Sequence, residues 1–206
     1  SLLSTARAMM TTDTCPKLAA SRATQGTGAY QITGMAKGAA MIGPRMATML
    51  AIVMTDATLN VADAQSVLRD VVEESFNCIS VEGHTSTNDS VLLLASGAAG
   101  GPPLAGNDLQ QFRQRLQQVC VDLARAIPDD GEGATHLIEV RVTGCLDRPQ
   151  AHRIARSIAD SPLVKTAVAG ADPNWGRIVS AACYAGVRFD PATVGLKLNG
   201  WQLYRS

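Results

Sequence analysis

Small hydroxyl, carboxylate and ammonium side chains recur in this sequence beside apolar runs: MTTDT (10–14), GMAKG (34–38), PRMATML (44–50), HTSTND (84–89), DGEGA (130–134) and DPNWGR (172–177). Asp, Asn, Gly, Ser and Thr also dominate turns for backbone reasons, so any one cluster taken alone fits a loop. Thr48 is the conspicuous member. It sits in MIGPRMATML, among Met, Ile and Leu and just behind a Gly43-Pro44 break, where the apolar run reads as the lead-in to a buried helix. One reading makes it a core hydroxyl bonded to a helix carbonyl. The other makes it a nucleophile, which requires an adjoining base. That base can be the residue's own α-amino group, with an unperturbed pKa of about 7.7–8.0 suited to proton transfer near neutrality. The amine exists only if the chain is cut between Ala47 and Thr48, and a small Ala suits self-cleavage. On residue types alone both readings stand.

Other chemistries find little support. GxxxxGK[ST], GxSxG and a strand-to-helix GxGxxG do not occur. Cys15, Cys78, Cys120, Cys145 and Cys183 are widely spaced and form no CxxC pair. His84, His136 and His152 show no HExxH spacing, so a structural metal site or disulfide scaffold is not expected and the cysteines read mostly as small core residues. Lys plus Arg and Asp plus Glu balance at 18 each, leaving no basic field for nucleic acid. The apolar runs fall short of a membrane span, and the first residues do not read as a signal peptide. A soluble intracellular protein with no nucleic-acid or membrane partner is the expectation. With 206 residues, 46% of them hydrophobic, the chain can bury a substantial core.

Alternating helix-like and strand-like segments must position these clusters. Residues 62–76 place Val67, Leu68, Val71, Val72 and Phe76 on one stripe. Residues 108–127 do the same with Leu109, Phe112, Leu116, Val119, Leu123 and Ile127, with Asn107 or Asp108 as cap. A third helix is predicted over 149–160, with Pro149 in its first turn. Strands are predicted at 91–95, 137–143, 164–168, 177–183 and 193–198, the second from its alternation of Ile138, Val140 and Val142 with Glu139 and Arg141. Residues 97–108 read as a loop. The fold class is α/β or α+β, without a clean βαβ alternation.

KGAAMIGPRMATMLAIVMTDA, together with MTTDTCPK, TSTND, DGEGATHLIEV and SPLVKTAVAGADPNWGRI, resembles the arginine-biosynthesis ornithine acetyltransferase (glutamate N-acetyltransferase) family along nearly the whole chain. The resemblance implies a precursor that cuts itself within MAT-ML. Residues 1–47 then belong to an α chain and 48–206 to a β chain, the two forming one structural unit and associating as α2β2. It implies a layered helix–sheet–sheet–helix fold like that of N-terminal-nucleophile hydrolases, with its own connectivity. Carried over motif by motif, Ala47-Thr48 is the scissile bond and Thr48 the acetyl-carrying nucleophile, while Thr11, Lys37 and Glu132 contact substrate. Their plainer readings are a turn or cap threonine, a solvated surface lysine and a turn carboxylate. Asn88 and Asp89 order a loop near the site, and Trp175 and Arg177 serve as pocket wall or as packing.

The implied reaction carries acetyl from N2-acetyl-L-ornithine to L-glutamate through an ester on Thr48, with no metal and no cofactor. Acetyl-CoA is a second donor in bifunctional members. Lys37 is suited to a substrate carboxylate and Glu132 to a substrate ammonium. Arg45 stands where most relatives carry Asn. The family's oxyanion-hole segment and its last substrate contacts fall outside residues 1–206, so this stretch by itself is expected to be a poor enzyme. A related N-terminal-threonine amidase or aminopeptidase, or an uncut scaffold, are the rival readings. The expected location is bacterial cytoplasm, or a mitochondrial or plastid matrix in a eukaryote.

Overall fold

The computed structural model describes residues 1–23, 29–40, 49–83 and 88–205. The chain divides into two compact units, Ser1–Ala134 and Thr135–Ser206. This boundary is distinct from the covalent one expected at Ala47-Thr48, which lies outside the described residues.

The first unit opens with α1 (Leu2–Met9), whose Ser1 hydroxyl accepts the Ser4 N–H. A four-stranded sheet follows in the order β1 (Lys17–Ala23), β2 (Tyr30–Lys37), β3 (Leu50–Thr55) and β4 (Ser90–Ala95). β1–β2 and β2–β3 are antiparallel, with Lys17 opposite Ala36 and Lys37 opposite Leu50. β3 and β4 are parallel, with Leu50 opposite Ser90, so the chain must cross over between them. That crossover carries α2 (Val61–Glu73) and a short 3-10 turn, Phe76–Cys78. Pairing across the sheet sets one face: Tyr30, Ile32, Gly34 and Ala36 of β2 align with Ala51, Val53 and Thr55 of β3.

α3 (Gly106–Asp129) lies against β1 and β2 and presents Phe112, Leu116, Val119, Cys120, Leu123 and Ile127, all buried, to that face. Phe112 meets Tyr30 with ring centroids 5.6 Å apart. At Gly34 α3 packs closely over the sheet. A Cβ there would stand 2.7 Å from Leu123 Cδ1 and 3.2 Å from Val119 Cγ1, so any larger residue must displace the ends of these two side chains. Burial pushes the Cys120 thiol up to about 12, leaving it an inert core group.

The second unit contains α4 (Arg148–Ala159), α5 (Pro162–Ala169), α6 (Trp175–Cys183) and the hairpin of β5 (Gly195–Leu198) and β6 (Trp201–Arg205). Ile154, Ile158, Val164 and Ala181 form its core. Asn199 (φ 49°) and Gly200 (φ 86°) make the two-residue turn between the strands, the left-handed pair that matches strand twist.

Several expectations are corrected. Residues 164–168 and 177–183 are helical, started by caps: the Ser161 hydroxyl accepts the Val164 N–H, and the Asn174 side chain accepts the Arg177 N–H at 3.2 Å. Residues 137–143 form no strand. Val140 and Val142 do face the apolar core, but no neighbouring strand of the described residues supplies a ladder. α3 is capped at Ala105 without a side-chain bond, and Asn107 and Asp108 fall inside its first turn. Leu50 and the residues after it form strand β3 rather than a buried helix. Residues 201–205, read without structure, pair with β5. Among the cysteines only Cys120 is a core residue; Cys15, Cys78 and Cys183 are exposed and Cys145 is half-buried.

Candidate active site

The end of the sheet where β2 finishes and β3 begins gathers the residues singled out by chemistry. Lys37 is the last residue of β2 and pairs with Leu50, the first of β3. Alternation along β2 turns Ala36 toward α3 and Lys37 to the opposite face. Lys37 is 9% exposed, which excludes a solvated surface charge, and among the described residues its ammonium pairs with no carboxylate. Ala47 and Thr48 lie outside the described residues. Their covalent neighbour Met49 is buried, and its N–H donates to the Asp89 carboxylate at 2.7 Å. Parallel pairing of β3 and β4 accounts for this contact, since Asp89 precedes Ser90 just as Met49 precedes Leu50. Asp89 of TSTND thus acts on the chain immediately after Thr48. His84, Thr85, Ser86 and Thr87 lie outside the described residues.

Thr11 and Glu132 reach the same end of the sheet through a buried ion cluster. TTDTCPK folds back so that Asp13 Oδ2 accepts the Thr11 N–H at 3.2 Å, while Oδ1 accepts the Gly38 N–H and the Lys17 ammonium, each at 2.7 Å. Lys17 also reaches Asp130 Oδ2 at 2.6 Å. Asp130 completes its shell with the Thr14 N–H at 3.0 Å and the Thr14 hydroxyl. Two residues on, the Glu132 N–H donates to the Ala39 carbonyl at 2.9 Å. Thr11, the peptide after Lys37, and Glu132 are therefore tied into one hydrogen-bonded assembly. Thr11 lies in an exposed bend rather than a helix cap, and Glu132 in an exposed turn before Gly133 (φ 71°).

The Lys17 and Asp13 side chains are fully buried and that of Asp130 is 7% exposed. Burial alone raises the Asp13 carboxyl, yet donors from Gly38, Lys17 and Thr11 outweigh it and hold the group below the usual carboxylate range. Asp130 behaves alike: burial raises it, but bonds from Lys17 and Thr14 bring it to about 2. Burial lowers Lys17, and the two carboxylates more than offset this, raising it above an ordinary lysine. Asp130 also stands at the carbonyl end of α3, where a carboxylate is unfavourable unless a cation compensates. Lys17 is that cation.

Motif reading did not single out Asp13, Lys17 or Asp130. A signal existed in strand phase, because Lys17 is in register with the inward-facing Ala19, Ser21 and Ala23 and must therefore be buried and paired. The cluster DPNWGR belongs to the second unit, where Trp175 and Arg177 make contacts within that unit. Trp175 stacks on Tyr204 at 4.7 Å, and Arg177 donates to the Leu163 carbonyl and the Thr166 hydroxyl, tying α6 to α5. His136 is exposed and lies 2.9 Å from the Thr135 hydroxyl. Among the described residues no cluster of His, Cys, Asp or Glu could hold a metal, and no helix is long and apolar enough to cross a membrane.

A mixed α/β protein whose polar site gathers at one end of a helix-backed sheet is the class that fold and site define. It matches the crystal structure of the arginine biosynthesis bifunctional protein ArgJ of Bacillus halodurans with a TM-score of 0.70 and 46% identity, over 72% of this chain and 70% of that one. The ArgJ family model matches residues 2–206, and the chain belongs to that family. It is 48% identical over 203 residues to the arginine biosynthesis bifunctional protein ArgJ of Symbiobacterium thermophilum, covering 98% of this chain and 50% of that protein. The like-named protein of Thermosynechococcus vestitus is 48% identical over 202 residues, 97% of this chain and 48% of that protein. The chain thus spans about half the length of the curated relatives it matches.

Proposed function

We propose that the protein containing this chain transfers acetyl from N2-acetyl-L-ornithine to L-glutamate in arginine biosynthesis, with Thr48 as the acetyl carrier. The observation that carries this reading is the convergence of Thr11, Lys37, Glu132 and the Asp89-held Met49 at one end of the sheet. Cleavage of Ala47-Thr48 frees the Thr48 amine. That amine takes the proton as Oγ attacks the acetyl carbonyl, and returns it to the α-nitrogen of ornithine as the amide C–N bond breaks. An acetyl ester remains on Thr48. The neutral α-amine of glutamate then attacks the ester and gives up a proton to the Thr48 amine, which passes it to Oγ as the ester C–O bond breaks, and N-acetylglutamate departs. Lys37, little exposed and without an internal carboxylate among the described residues, suits a substrate carboxylate; Glu132 suits the free δ-ammonium of acetylornithine.

Acetyl-CoA as a second acetyl donor and an α2β2 assembly of the cleaved chains belong to the same proposal. The test uses the complete protein with isotopically labelled acetylornithine. Parallel lines in double-reciprocal plots and label appearing in N-acetylglutamate are expected. Release of free acetate at the same rate with and without glutamate would instead indicate an amidase.

A further inference from the structure

Three side chains expected to meet substrate depend on a cluster that cannot itself touch substrate. Asp13 presents two oxygens to three donors: Oδ1 to the Gly38 N–H and Lys17, Oδ2 to the Thr11 N–H. The first donor fixes the peptide that follows Lys37, and the third fixes Thr11. Through Lys17 the same network holds Asp130, two residues before Glu132, whose own N–H is bonded to Ala39. Each carboxylate accepts three hydrogen bonds, Lys17 is wholly enclosed, and the partners come from three stretches of chain remote in sequence. Backbone N–H groups of the substrate-facing segments serve as ligands of this cluster, so a change in its hydrogen bonding is transmitted to the positions of Thr11, Lys37 and Glu132.

We propose that Asp13, Lys17 and Asp130 are positioning residues that set the spacing between the contact for a substrate carboxylate at Lys37 and the contact for a substrate ammonium at Glu132. They thereby fix the length of α-amino acid that the site accepts. This rests on the acetyl-transfer reading above only for the identity of the amino acids. A buried network is worth this role because each member is satisfied, leaving no slack for the site to relax.

The donors predict which substitutions matter. In Asp13→Asn one oxygen becomes an N–H2 group, so either Thr11 or the pair of Gly38 and Lys17 faces another donor. In Asp130→Asn the remaining oxygen can still accept the Thr14 N–H and Lys17, and the amide can donate to the Thr14 hydroxyl. Only charge is lost there. Calorimetric binding of glutamate and acetylornithine to the complete protein is therefore expected to weaken about tenfold or more in Asp13→Asn, the scale of a lost charged hydrogen bond, and about twofold or less in Asp130→Asn. Turnover per acetylated Thr48 should change little, placing the loss in KM. A cluster that merely fastens the fold would lower the melting temperature of both variants and leave both affinities unchanged, which overturns the proposal. If Asp13→Asn does not fold, Lys17→Gln, whose amide nitrogen is one bond shorter and which sets an oxygen against the two carboxylates, perturbs the same hydrogen bonds, and unchanged affinity there is equally fatal. Binding decides the positioning role whether or not acetyl transfer is observed. Absence of transfer in the unaltered protein counts against the reaction alone, and absence of glutamate binding counts against both.

Discussion

The Asp13 carboxylate and the Gly38 amide lie 25 residues apart in sequence and 2.7 Å apart in space. That bond joins the loop before β1 to the residue after Lys37, and so connects a buried ion cluster to the open end of the sheet. It explains why polar residues occupy positions that strand phase assigns to the core. Lys17 faces α3 and is enclosed, and it is tolerated there because two carboxylates surround its ammonium.

Removing the cation should be costly. Lys17→Met leaves Asp13 and Asp130 buried without their shared partner, and a loss of about 3–5 kcal/mol is expected in denaturant unfolding. A loss under about 1 kcal/mol would show that the carboxylates relax into solvent.

The same cluster fixes a pH profile. Asp13 and Asp130 are depressed in the folded state, Asp130 to about 2, so their contribution is complete above the unfolded value of about 3.9 and is lost as pH falls through the folded value. Lys17 is raised, so its contribution is complete below about 10.4 and is lost as pH rises beyond its folded value. The stability that the native chain draws from this cluster should therefore be level between these limits and fall at both ends. Equilibrium unfolding across pH reads this directly.

Gly34 reports on the helix–sheet contact. Gly34→Val places its branched side chain against Leu123, Val119 and Val53, and overpacking should cost about 1–3 kcal/mol, with Gly34→Ala nearer the low end. Equal stability of all three proteins would mean that the Leu123, Val119 and Val53 side chains yield without cost.

How much of this was legible in sequence follows from the length of each pattern. α2 and α3 were readable because their apolar stripes persist over several turns. α5 and α6, of 8 and 9 residues, give about two turns each, and Val164, Val168, Ile178 and Val179 carry strand preference; the caps at Ser161 and Asn174 decide instead. In 137–143 alternation announces Val140 and Val142 against the core, yet a strand also needs a partner, which alternation does not supply. Thr11, Lys37 and Glu132 were singled out by the resemblance of their short motifs to the family. Asp130 was not, because its pairing with Lys17 spans 113 residues and exists only once α3 has packed on β1.

Substrate contacts are expected to separate by charge. Lys37→Ala and Glu132→Ala should each raise KM about tenfold to a hundredfold, the range for a lost charged hydrogen bond, with the larger kinetic effect in KM rather than kcat. An unchanged KM in either variant removes that residue from the binding role.

Asp89 holds the amide of the residue that follows Thr48. Asp89→Ala leaves the Met49 N–H without this acceptor and should slow formation of the Thr48 amino terminus about tenfold, while Asp89→Asn, which keeps an oxygen, should fall between. Processing at the native rate in Asp89→Ala would detach this contact from the cleavage step.

The most direct measurement is mass spectrometry of the complete protein, purified and incubated with acetylornithine without glutamate. The account predicts cleavage between Ala47 and Thr48 and an acetyl group on the new Thr48 terminus, removed when glutamate is added. A chain that stays intact, a cut at another bond, or an acetyl group carried elsewhere would contradict it.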